Sequence, residues 1–147
     1  MGKLFNLIKG FKSFNAKDIA KESIIETKGF ALDEQARQMN KGKRNDGSDI
    51  LPSYSRLTIE IKEQNGQVTD RVTLHDTGAF YAGFKLDIQG EQIQFTSTDS
   101  KTAKLKKKYN TSKGKIFGLN DESKKEYINE SLKKKFVFLS RKKIYGK

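Results

Sequence analysis

Apolar side chains recur every three or four residues in two regions of the chain, one near its beginning and one at its end. The first region predicts two helices, residues 16–28 and 32–39, with Gly29 ending or kinking the first of them. The second region predicts a C-terminal amphipathic helix that begins after Asn120, a good N-cap, and ends near Leu139. The three apolar stripes contain Ile19, Ala20, Ile24 and Thr27; Leu32, Ala36 and Met39; and Ile128, Leu132, Phe136 and Leu139.

The middle of the chain follows a two-residue period instead. Residues 84–98 alternate apolar and polar side chains on both sides of a turn at 89–91, and this pattern predicts an antiparallel β-hairpin. Residues 55–63 also alternate and favour a further strand, although a short helix fits them too. We therefore predict an α+β fold with N-terminal helices, a small antiparallel sheet and a C-terminal amphipathic helix packed on that sheet.

The length of 147 residues predicts a single domain. Both ends are basic, and we predict an N-terminal arm at residues 1–14 and a flexible C-terminal tail at 140–147. Residues 41–53 hold the only proline and several turn-forming residues, so they predict a long loop. Hydrophobic residues make up 34% of the chain and charged residues 33%. A core this modest favours further burial against a partner or other copies of the chain.

The composition argues against several kinds of site. The chain has no cysteine, so it forms neither a disulfide nor a thiolate metal site. Its single histidine, His75, argues against a histidine-based zinc site. No apolar run approaches the roughly 20 residues of a membrane span. We therefore expect no metal, no cofactor and no membrane partner.

The positive charge is concentrated in the last third of the chain. Residues 101–147 contain 16 basic and four acidic side chains, whereas residues 1–100 contain 14 of each. This asymmetry predicts contact with the DNA backbone or with an acidic protein, although a solvated surface is the alternative. No sequence-reading motif accompanies the charge, so a DNA contact would be independent of sequence. The candidate contact residues are Lys104, Lys106, Lys107, Lys108, Lys133, Lys134, Lys135, Arg141, Lys142 and Lys143.

A short motif, Asp76-Thr77-Gly78, follows an apolar run that ends at Leu74. It resembles the motif in which retroviral-type aspartic proteases present their catalytic carboxylate, where two chains share one proton between two close acids. Such an enzyme also needs a glycine-rich flap. The strongly helical flanks of this chain argue against the protease. This interpretation would make Asp76 catalytic.

The same residues also have a structural interpretation, which we favour. Asp76 or Thr77 would cap a helical turn, and Gly78 would allow a close backbone approach. Phe80 and Phe84, four residues apart, would then pack inward together. Under this interpretation the chain has no catalytic residue.

Two motifs, in their order along the chain, resemble a known family. One is L-x-D-T-G-x-F at 74–80, ahead of the hairpin, and the other is I-F-G-L-N-D-E at 116–122, where the last helix begins. Together with the glycine-rich segment at 38–55, they resemble the virion-morphogenesis or tail-completion proteins of the head–tail neck of tailed phages, especially Bacteroidetes phages. The matching residues are Leu74, Asp76, Thr77, Gly78 and Phe80 in the first motif, and Phe117, Gly118, Leu119, Asp121 and Glu122 in the second.

The resemblance implies assembly rather than catalysis. Such proteins form rings that complete the neck or tail, join the portal to the tail and surround the DNA path. The expected partners are further copies of the chain, in a ring of about six or twelve, and portal, adaptor or tail-tube proteins. The expected location is the virion, after assembly in the host cytoplasm. Two alternatives stay open: a sequence-independent nucleic-acid-binding protein that uses the basic last third, and an aspartic protease that uses Asp76.

Overall fold

The computed structural model describes residues 2–146. Met1 of the predicted arm and Lys147 of the predicted tail lie outside the described residues. The elements, in chain order, are α1 (Gly2–Ser13), α2 (Ala16–Asn40), α3 (Arg56–Gln64), α4 (Ala79–Ala82), β1 (Phe84–Gln89), β2 (Gln92–Ser97), α5 (Thr102–Tyr109), α6 (Asp121–Tyr127), a π-helical segment (Ile128–Leu132) and α7 (Lys133–Tyr145). The predicted α+β class is confirmed.

The predicted hairpin is confirmed. Strands β1 and β2 form a two-stranded antiparallel sheet in which Leu86 pairs with Phe95 and Ile88 with Ile93. The turn between the strands centres on Gly90, whose φ of 62° lies in the left-handed region that favours glycine. The two-residue period therefore identified this element correctly.

The chain divides into two compact units. One, the helical unit, comprises the chain up to Ala31 and from Lys125 onward, and the other, the central unit, comprises residues 32–124. The prediction of a single domain stays a prediction. The core of the central unit consists of Met39, Ile50, Val72, Leu74, Phe80, Tyr109, Ile116 and Phe117.

Helix α2 replaces the two helices predicted at 16–28 and 32–39. Asn15 caps its start, since its side-chain oxygen accepts hydrogen bonds from the backbone N–H groups of Lys17 and Asp18. Gly29 does not end the helix. A glycine inside a helix costs only about 1 kcal/mol relative to alanine, which helical residues on both sides readily offset.

Residues 55–63 form a helix and not the strand that the alternation favoured. The Ser55 hydroxyl accepts a hydrogen bond from the Thr58 backbone N–H at 3.2 Å, which caps α3 at its first turn. Three apolar residues at every second position are too short a run to distinguish a strand from one side of a helix. The predicted strand at this place is wrong.

The C-terminal helix is longer than predicted. It begins after Asn120, whose side chain accepts a hydrogen bond from the Ser123 N–H, and α7 ends at Tyr145 instead of near Leu139. No helix-breaking residue lies between Leu139 and Gly146, whose φ of 71° forms the C-cap. Most of the predicted flexible tail is therefore helical.

Within the helical unit, α1 packs closely on α7. A Cβ atom on Gly10 would lie 1.9 Å from the carbonyl oxygen of Ile144, so only glycine permits this approach. Tyr127 packs against α2: its hydroxyl lies 2.8 Å from that of Thr27, and its ring stacks on Phe30. The approach of Gly10 to Ile144 fixes which side of α1 faces α7.

Candidate functional site

The two motifs that carry the family resemblance meet in the core of the central unit. The ring of Phe80 lies 5.3 Å from that of Phe84 and 5.7 Å from that of Phe117, and the last two rings are 5.6 Å apart. Tilted and edge-to-face rings at such distances attract each other beyond their burial of surface. The prediction that Phe80 and Phe84 pack inward together is confirmed.

A chain turn with an unusual backbone precedes the Asp-Thr-Gly motif. Leu74 is buried and has a φ of 56°, the one positive value recorded for a non-glycine residue among residues 2–146. A leucine is strained there, and the surrounding structure must hold it in place. The Tyr54 hydroxyl accepts hydrogen bonds from the N–H groups of Thr73 and Leu74, both at 3.0 Å.

Two further side chains hold the turn through its carbonyl groups. The Lys62 ammonium donates to the His75 carbonyl at 2.6 Å, and the Gln67 side-chain amide donates to the Asp76 carbonyl at 2.7 Å. Tyr81 donates its hydroxyl to the Thr73 carbonyl, and burial raises the pKa of Tyr81 well above its ordinary value. The turn is thus held by side-chain hydrogen bonds at successive residues, from Thr73 to Asp76.

The interactions of the Asp-Thr-Gly motif differ from those we predicted. The Asp76 side chain is 64% exposed and lies 3.7 Å from the Lys101 ammonium, so the prediction that Asp76 caps a helical turn is wrong. Thr77 does accept a hydrogen bond from the Ala79 N–H, at 3.3 Å. Gly78 precedes α4 with a φ of 90°, so the position needs glycine for its conformation. The predicted close backbone approach is wrong, because a Cβ there would make ordinary contact with His75.

Replacing Asp76 with asparagine is therefore expected to change the free energy of unfolding by less than about 1 kcal/mol, because exposed ion pairs contribute little. Denaturant unfolding, with Asp70→Asn as the control at another exposed aspartate, measures this. Cleavage of a peptide that is lost in Asp76→Asn and blocked by a transition-state analogue of aspartic proteases would contradict our structural interpretation.

Two glutamines of α2 hold the second motif along its backbone. Gln35 donates to the Ile116 carbonyl at 3.1 Å and accepts from the Gly118 N–H at 2.8 Å. Gln38 donates to the Gly118 carbonyl at 2.8 Å and accepts from the Asn120 N–H at 2.7 Å. Both side chains are buried. We call this arrangement the glutamine clasp; it satisfies four backbone groups of a segment that belongs to no helix or strand.

A buried arginine orders the loop at 41–53. The Arg44 guanidinium donates to the carbonyl oxygens of Tyr109, Asp49 and Leu51, at 2.7 to 2.9 Å. Hydrogen bonds from a charged donor are stronger than those between neutral groups. The loop is thereby fastened to the end of α5, which the sequence pattern did not predict.

The predicted basic contact residues lie on two helices, one in each unit. Lys104, Lys106, Lys107 and Lys108 are exposed on α5 of the central unit. On α7 of the helical unit, Lys133 and Lys134 are exposed, whereas Lys135 is half-buried and lies 3.2 Å from the Glu26 carboxylate. Arg141, Lys142 and Lys143 are exposed at the end of α7.

A cleft of about 270 Å³ opens beside the Asp-Thr-Gly motif. Its walls include the apolar side chains of Ile61, Leu74, Phe80 and Leu105, and Lys101 lies at its margin. Among residues 2–146, no group of three or more histidine, cysteine, aspartate or glutamate side chains is arranged to hold a metal ion. Within the same residues, no helix is both long and apolar enough to cross a membrane.

Comparison with known proteins gives no relative: no protein-family profile, no curated protein and no solved structure matches the chain. No relative therefore indicates what the candidate site does, and its function is inferred from its geometry. In that geometry, Phe80, Phe84 and Phe117 pack together where the two motifs meet. Hydrogen-bonding side chains hold the turn before the Asp-Thr-Gly motif, the glutamine clasp holds the second motif, and an apolar cleft opens at the surface.

Proposed function

We propose that the protein is a structural virion component of a tailed phage, a ring subunit of the head–tail connector or of the completed tail. The observation that carries the proposal is the junction of the two resembling motifs, Leu74 to Phe80 and Ile116 to Asn120. They are distant in sequence, yet Phe80 and Phe117 are in contact, and both motifs are held by dedicated side chains. The motifs thus pack together into one core, as we expect of a subunit that keeps its shape in a ring.

The surface of the chain also supports assembly. Thirteen large hydrophobic side chains are exposed among the described residues, in a chain whose hydrophobic fraction is 34%. They lie mainly on α1, α3 and α7. Exposed apolar side chains grouped on single helices mark surfaces that other protein covers. The proposed partners are further copies of the chain and the portal, adaptor or tail-tube proteins.

Imaging of the purified protein tests the proposal. Negative-stain micrographs of the protein mixed with candidate neck proteins are expected to show closed rings of about six or twelve copies. The free chain can stay monomeric and order its ring surfaces on docking, so the mixture is the decisive sample. The absence of rings in every mixture with portal, adaptor and tail-tube proteins would contradict the proposal.

A second candidate function, sequence-independent nucleic-acid binding, is supported by the charge of the helical unit. Its residues, up to 31 and from 125 onward, include 14 basic and five acidic side chains. The exposed lysines and arginine of α7 provide contacts that phosphates accept, and a ring around the DNA path would use the same contacts. Both functions therefore predict binding to duplex DNA, and the acidic-protein contact does not.

Salt titration distinguishes these contacts. Lys133 and Lys134 are chosen because both are exposed; Lys134 lies 3.4 Å from the Glu130 carboxylate, and the half-buried Lys135 lies 3.2 Å from that of Glu26. If both lysines meet phosphates, changing them to glutamine should lower the slope of log K against log salt for random duplex DNA by about two. The same two changes at Lys21 and Lys28, which are exposed on α2, are the matched control.

The two titrations distinguish three interpretations of the α7 lysines. A slope change specific to Lys133 and Lys134 supports the DNA contact. If the DNA titration is unchanged while binding to an acidic neck protein loses salt dependence, the partner is that protein. If neither titration responds, the lysines of α7 are solvated surface, and the inference from charge asymmetry fails.

A further inference from the structure

Helix α3 has its apolar side chains on the outside. Leu57 is 67% exposed and Ile61 is 51% exposed, whereas the lysine next to Ile61, Lys62, is only 7% exposed. The reason is the turn before the Asp-Thr-Gly motif: the Lys62 ammonium must reach the His75 carbonyl and the Gln67 side chain. Because Leu57 and Ile61 are four residues apart, they then share the opposite, solvent-facing side. We call these two residues the α3 ridge.

Helix α1 also exposes an apolar stripe. Leu4, Ile8 and Phe11 are all exposed, and their spacing of four and three residues places them on one side of the helix. The close approach of Gly10 to Ile144 fixes another side of α1 against α7. The helix therefore cannot turn its stripe inward without losing that contact. We call these three residues the α1 stripe.

The charges beside the two surfaces are complementary. Three exposed charges lie beside or just after the α3 ridge: Glu60, Glu63 and Arg56, whose guanidinium lies 3.3 Å from the Glu60 carboxylate. Lys9 and Lys12, also exposed, lie beside the α1 stripe. Opposite charges around an apolar contact fix its register and suppress wrong pairings. The α3 margin, with two exposed acids and one exposed base, has a net negative charge, which the basic margin of α1 complements.

We propose that the α1 stripe of one copy packs on the α3 ridge of a second copy. The contact joins different surfaces, so it is heterologous, and such a contact, repeated from copy to copy, builds a ring when its rotation closes. The cleft beside Ile61 offers a place for one side chain of the stripe, of which Phe11 is the largest. The inference deepens the proposed ring function and depends on it for its biological meaning.

Cysteine cross-linking tests the contact without background, since the chain has no cysteine of its own. Ile8→Cys and Ile61→Cys are made as separate proteins and mixed under mild oxidation, so a mixed disulfide can form only between two copies. We expect about tenfold more mixed dimer than in a mixture of Ile25→Cys with Ile61→Cys, because docking raises the effective concentration of the two thiols. Ile25 is the matched control, an exposed isoleucine on α2.

Charge reversal supplies a second test. Lys12→Glu in the Ile8→Cys chain is expected to reduce the mixed dimer severalfold, and Glu60→Lys in the Ile61→Cys chain is expected to restore it. Equal yields for Ile8→Cys and Ile25→Cys, or reduction without restoration, would overturn the α1–α3 contact. Rings or virion incorporation without this cross-link would leave the proposed function intact and refute only the interface. A specific cross-link in a protein that is absent from virions would support the interface and refute the proposed function.

Discussion

Replacing Phe117 with alanine is expected to lower the free energy of unfolding by about 3–5 kcal/mol. Phe117 is buried and touches both Phe80 and Phe84, so the change removes a ring and leaves a cavity where the two motifs meet. Chemical denaturation measures the loss. Leu57→Ala, an exposed position of the same unit, is the control and should change stability by less than about 0.5 kcal/mol.

A small effect would contradict the structure of this core. If Phe117→Ala lowers the free energy of unfolding by less than about 1 kcal/mol, the ring is not packed as described. Binding of neck partners should weaken in proportion to the unfolded fraction, because Phe117 acts through the fold and not through a contact surface. A binding loss in fully folded Phe117→Ala protein would show a direct role that the buried ring does not suggest.

Replacing Gln38 with methionine is expected to lower the free energy of unfolding by about 2–4 kcal/mol. Methionine has a similar unbranched side chain but cannot hydrogen-bond as an amide does, so the Gly118 carbonyl and the Asn120 N–H lose their partner. Leaving buried polar groups unsatisfied is the dominant cost. Hydrogen exchange should show faster exchange of the Asn120 amide, with Gln64→Met, on the exposed end of α3, as the control.

The glutamine clasp predicts a further signature. Because Gln35 accepts from the N–H and Gln38 donates to the C=O of the same residue, Gly118, the two methionine changes should not be additive. The second change should cost less than the first, since the segment is already released. If the two losses in the free energy of unfolding add fully, Gln35 and Gln38 do not act together as one clasp.

Local sequence pattern predicted the elements whose signals are local. The hairpin follows from strict alternation, and the Asn120 cap follows from its position before an apolar-periodic run. Helix α3 was mistaken for a strand because three alternating apolar residues fit both structures. The uninterrupted helix at Gly29 shows that one glycine is a weak signal against many helix-forming neighbours.

The candidate site could be predicted only in part. Phe80 and Phe84 were identified because their spacing is local. The braces of the turn, Tyr54 and Lys62, act across 13 to 20 residues, and Gln35 and Gln38 act across about 80. Contacts at such separations leave no periodic signal in a single sequence. Lys62 is also buried with its ammonium group bound to neutral oxygen atoms, whereas lysine side chains generally prefer the surface.

Absolute quantification of the chain in purified virions tests the central claim most directly. Mass spectrometry with labelled standard peptides, normalised to the major capsid protein, gives the number of copies in each particle. A ring of the neck or tail predicts an integral complement of about six or twelve copies that stays with the particle after nuclease treatment and salt washing. Purified, infectious virions that contain none of the chain would contradict the account.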